Sequence, residues 1–128
     1  MSANLLIRDE SLSGELLREW MLEVLTDRIT VRELIRSRVY QEVQDYNLER
    51  NSTFRGLVQP EAATEERNSR TRRPLDWKPQ FERAIEAFER LQLLVLIDDR
   101  QVERLDEEIA VGPDSCVTFL RMTLLVGG

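Results

Sequence analysis

At Thr30 the spacing of apolar residues changes period, and that change restricts the chain to folds mixing strand with helix. Before it, Trp20, Leu22 and Val24 alternate with Met21 and Glu23, the rhythm of a half-buried strand. After it, Val31, Leu34, Ile35, Val39, Val43 and Tyr46 lay one apolar stripe along a helix. Thr30 and Glu33 read as a capping box, each side chain satisfying a backbone N–H at the helix start. The run "NLLI", ending in charge, adds an earlier strand near Asn4–Asp9, paired as a hairpin with a second near Arg18–Leu25. Leu12, Leu16 and Leu17 make their connection less polar than a plain turn and leave room for a short helical turn.

Between Leu48 and Pro74 the periodicity dissolves. Phe54, Leu57 and Val58 form an apolar island around Gly56, expected to fold onto the core. "EAATEERNSRTRRP" is almost wholly polar and reads as a loop. Its Arg67, Arg70, Arg72 and Arg73 stand beside Glu61, Glu65 and Glu66, which favours a solvated segment over a basic patch for an acidic partner. "DWKPQFERAIEAFERLQ" is a second amphipathic helix, with Asp76 as N-cap, Pro79 in the first turn, and Phe81, Ala84, Ile85, Phe88 and Leu91 inward. Leu93–Ile97 reads as a buried strand ended by a turn at Asp98 and Asp99. "VERLDEEI" is expected to bend with Leu105 and Ile109 inward, "GPDS" to turn, and "CVTFLRMTLL" to close the fold as a strand.

Composition removes several function classes. The chain of 128 residues suits one domain. A net charge of −6 argues against general nucleic-acid binding, which wants a basic face. No apolar run approaches the roughly 18 residues of a membrane span, and "MSANLLIRDE" lacks the build of a secretory signal, so a cytoplasmic location is expected. Histidine is absent, which removes Ser-His and Cys-His nucleophile pairs. The lone Cys116 at a strand start suggests packing, and the acidic pairs and triples at Asp98–Asp99 and Asp106–Glu108 fit turns better than any metal loop. No metal, cofactor or nucleotide-binding loop is expected.

With these elements in this order, and "TLLVGG" after the last strand, the chain resembles ubiquitin and its β-grasp relatives, in the style of bacterial protein modifiers. "NLLIRDESLSGELLREWMLEVLTDRITVRELI" looks like their first hairpin running into the capped central helix. "LLVLIDDRQVERLDEEIAVGPDSCVTFL" looks like their later strand, a tight turn followed by an exposed Arg100 and Gln101, bend and closing strand. The resemblance implies an α+β fold: a β-grasp mixed sheet packed on a central helix, with an additional helix inserted before the third strand. It implies one domain over residues 1–128, with 48–92 as a loop-plus-helix insertion and 122–128 as a flexible C-terminal tail. It also requires the closing strand to lie beside the opening one.

The same resemblance implies a chemistry. A carboxylate becomes an acyl donor once ATP converts it to an acyl-adenylate, which an enzyme thiol captures as a thioester before an amine attacks. Gly128 would be that donor and Gly127 its slender neighbour, since glycine lacks the Cβ that would collide with a narrow channel. Leu124, Leu125 and Val126 would be the tail gripped by an E1-like adenylating enzyme, which binds the ATP. A thiol-bearing E2-like enzyme and target proteins would follow. The chain itself would be no enzyme. Lys78 is the single lysine against seventeen arginines; codon bias in a GC-rich genome accounts for this, and so does protection from self-conjugation, with Lys78 as the remaining candidate acceptor. Two alternatives share the fold: a sulfur carrier bearing a C-terminal thiocarboxylate, and a ubiquitin-like interaction module that is never conjugated.

Overall fold

The computed structural model describes residues 3–49, 54–60 and 74–127. The polar stretch holding Arg67, Arg70, Arg72 and Arg73, and the terminal Gly128, lie outside the described residues. The described residues form, in chain order, β1 (Ala3–Ser11), β2 (Leu16–Val24), β3 (Arg28–Thr30), α1 (Val31–Leu48), α2 (Trp77–Glu89), β4 (Leu93–Ile97), β5 (Arg100–Val102), β6 (Glu108–Ala110) and β7 (Cys116–Arg121). The architecture is α+β, with a mixed five-stranded sheet and two helices, compatible with a β-grasp-like arrangement.

The strand order is β2-β1-β7-β4-β5. β1 and β2 pair antiparallel, as expected, with a register shift at Asp9 and Glu10. Their turn is shorter than the sequence suggested: Leu16 and Leu17 already belong to β2, and no helical turn intervenes. Gly14 closes the turn at φ +87°, a conformation glycine adopts without steric cost. β7 lies parallel to β1, pairing Leu6 with Cys116 through Ser11 with Arg121. The closing strand therefore sits beside the opening one. A parallel pair needs a long crossover, and here everything from β2 to β6 supplies it.

Thr30 takes an extended conformation and its hydroxyl accepts the Glu33 amide at 3.1 Å, fixing the start of α1. The "VERLDEEI" bend closes the same end: the carbonyls of Glu107 and Leu105 accept the Val31 and Arg32 amides, each at 3.0 Å. β3 and β6 clamp this junction, pairing Ile29 with Ile109. The expected stripe of α1 is buried throughout. Along α2, Ala84, Ala87 and Phe88 are buried and Phe81 and Ile85 partly so. Leu91, expected inward, is instead 65% exposed. It sits one step past the helix cap at φ +61°, where the chain reverses. Leu5, Ile7, Leu22, Leu34, Ile35, Leu93, Val95, Val117 and Phe119 form one continuous core, and Leu57 and Val58 join it as the apolar island predicted. Among the described residues no helix is long and apolar enough to cross a membrane.

Candidate functional site

Beyond β7, residues 122–127 do not leave the body of the molecule. The Met122 amide donates to the Gln92 carbonyl at 2.9 Å, turning residues 123–127 toward the inserted segment. There the tail runs parallel to Gln59, with Val126 as its bridge partner. The Gln59 amide donates to the Leu125 carbonyl at 2.8 Å and the Gly127 amide to the Gln59 carbonyl at 2.9 Å. Arg83 of α2 donates from Nε to the Val126 carbonyl at 3.1 Å and from Nη2 to Gln92 Oε1 at 3.0 Å. Alternation then decides which side chains turn inward. Leu125 is fully buried and joins the core, whereas Leu124 and Val126 are 67% and 41% exposed.

The three residues read as a partner-binding tail are thus split between two surroundings. Gly127 is buried, and a Cβ built on it would stand 2.9 Å from Cγ of Arg83. A side chain at 127 would therefore require Arg83 to shift, so the docked position favours glycine there. Lys78 is exposed in the first turn of α2, its amide bonded to the Asp76 carboxylate at 3.0 Å.

A buried ionic cluster supports the surface on which the tail rests. Asp9 of β1 and Arg38 and Glu42 of α1 are each nearly inaccessible to water. Arg38 holds Asp9 with both terminal nitrogens, Nη2 to Oδ2 at 2.9 Å, and donates from Nε to Glu42 Oε1 at 2.8 Å. Its guanidinium stacks over the Phe119 ring, 4.5 Å from the centroid. Glu42 uses its second oxygen to accept the Leu57 amide at 3.1 Å, and Arg121 donates to the Leu57 carbonyl at 3.3 Å. Burial pulls the Arg38 pKa down, but Glu42 and Asp9 more than offset it, and it stays above the ordinary value. Burial pushes the Glu42 carboxyl above its ordinary range, with Arg38 pulling the other way.

Above Glu42 opens a groove of about 410 Å³, walled by Arg18, Asp45, Phe54 and Arg55. Its floor is tight: a Cβ on Gly56 would run into the Phe54 ring and the Glu42 carboxylate. Sequence reading passed over this cluster, although the signal was present. Asp9 falls in phase with Leu5 and Ile7, and Arg38 and Glu42 fall within the apolar stripe of α1.

The remaining residues singled out in the sequence are dispersed. Asp98 accepts the Cys116 amide at 2.9 Å across the β4–β7 edge. Asp106 pairs with Arg104 and Glu107 with Arg100, each at 3.0 Å. Burial raises the Cys116 thiol pKa, which disfavours the thiolate a nucleophile needs. The chain matches no family model, no curated protein and no solved structure.

Proposed function

We propose that this chain is a ubiquitin-like protein modifier of the β-grasp class, with Gly128 as acyl donor. Its carboxylate is taken as free, either as translated or after removal of any following residues. An E1-like enzyme adenylates it, an enzyme thiol carries it as a thioester, and a target amine accepts it. The protein is the passenger in that sequence and supplies no catalytic group. The observation that carries the reading is the parallel β1–β7 pair. It sends the last strand out of the sheet centre and into a tail of Leu-Leu-Val-Gly-Gly, the β-grasp way of delivering a terminus. The extra helix α2 and residues 54–60 are the departure from that plan, and they are what the tail touches.

One observation favours a rival. Leu125 is part of the core, as expected of an interaction module whose last residues simply complete the fold. Truncation separates the two readings. An amino-terminally tagged chain ending at Val126 should form no ATP-dependent protein adducts in the producing cell, while the chain ending at Gly128 forms them. Equal adducts from both would exclude the modifier reading. A terminal oxygen replaced by sulfur, with no adducts, would identify a sulfur carrier instead.

A further inference from the structure

The tail's position carries a consequence for how a conjugating system would reach it. Leu125 cannot be buried in its own core and in the grip of another protein at once. The Gly127 amide and the Leu125 and Val126 carbonyls are likewise already engaged by Gln59 and Arg83. With Gly127 held and Gly128 as the acyl donor, the donor stands one residue beyond the dock, a reach of roughly 3.5 Å.

We propose that docking of residues 124–127 against Gln59 and Arg83 is a closed state that withholds the terminus from its activating enzyme, so that undocking gates adenylation. This rests on the modifier reading above. The device is built from the insertion itself. Glu42 fixes the Leu57 amide, Arg121 fixes the Leu57 carbonyl, and Gln59, two residues on, forms the ladder with the tail. Arg83 reaches from α2 to close the far side, anchored by Gln92. The inserted helix is thereby given a role: it supplies the arginine that holds the tail. A partner that drew Arg83 away, or that bound α2, would release the terminus without touching the sheet. The activating enzyme meets only the open fraction, so its apparent affinity falls in proportion to that fraction.

Arg83→Ala and Arg83→Lys in the full chain test this with two readouts. The first is amide hydrogen exchange at Gln59 and Gly127, with Val117 and Phe119 in β7 as internal controls. The second is the yield of ATP-dependent adducts in the producing cell. The wild-type tail amides should exchange at least roughly tenfold more slowly than in an unstructured peptide, and Arg83→Ala should speed them several-fold while the β7 amides hold. Adduct yield should rise by a similar factor, with Arg83→Lys between the two. Tail amides exchanging at unstructured rates in the wild type would overturn the closed state. Faster exchange with unchanged adducts would overturn the gate and leave the modifier reading standing. Adducts absent from every variant, with exchange as expected, would overturn the modifier reading and the gate with it.

Discussion

Removing Arg38 from its cluster with Asp9 and Glu42 should cost as much as the largest apolar truncations nearby, because it strands carboxylates where water hardly reaches. Arg38→Ala leaves two carboxylates inside and should lower the unfolding free energy at pH 7 by about 3–5 kcal/mol. The loss should depend on pH with a definite sign. A carboxyl whose folded pKa lies above its unfolded value contributes stability below the unfolded pKa and loses it as pH rises through the folded one. Burial already moves Glu42 that way, against the pull of Arg38. Without Arg38 the deficit should be largest near neutrality and shrink as pH falls toward 5, read from urea titrations at several pH values. A deficit that stayed constant or grew on acidification would contradict the assignment. At Gly56 the limit is steric, since a Cβ would meet Phe54 and Glu42. Gly56→Ala should destabilise by about 1–3 kcal/mol, and thermal unfolding checks it.

At the scale of elements, the turn after α2 offers a change in the opposite direction. The Gln92 amide bonds to the Ala87 carbonyl at 2.8 Å and the Leu91 amide to the Phe88 carbonyl at 3.2 Å. This is a Schellman closure whose left-handed position usually goes to glycine. Here an exposed leucine occupies it at φ +61°. Leu91→Gly should therefore stabilise the protein by about 0.5–1 kcal/mol, the relief of a left-handed side chain less the entropy glycine loses on folding. An unchanged or lower melting temperature would count against it. The same turn shows why Leu91 was misplaced from sequence: helical phase puts it inward, but the helix ends one step too soon. The helix α1 was legible because its six apolar positions and its cap all lie within one short window. β3 and β6 were not, since each is three residues long and exists through the pairing of Ile29 with Ile109, some eighty positions away.

For the whole molecule, a closing strand beside the opening one was what the resemblance required; the sheet places β7 there, and the parallel sense of the pair is what the structure adds. The docked tail was only half visible. The apolar run Leu124, Leu125 and Val126 is plain in the sequence, but nothing in it says that Leu125 alone turns inward, and their partner Gln59 lies in a stretch without periodicity, so nothing local paired them. The buried cluster was visible as charge in phase with apolar residues, which the eye discounts because charged side chains are rarely buried unless paired. The central claim remains the chemistry of the last carboxyl group, and trypsin makes it directly testable. Cleavage after Arg121 would leave Met-Thr-Leu-Leu-Val-Gly-Gly, residues 122–128, on any modified lysine. Tryptic digests of proteins captured through a tag on Met1 should contain lysines carrying that remnant in isopeptide linkage, lost when Gly127 and Gly128 are deleted. Captured adducts without the remnant, or adducts that persist in the deletion, would contradict the account.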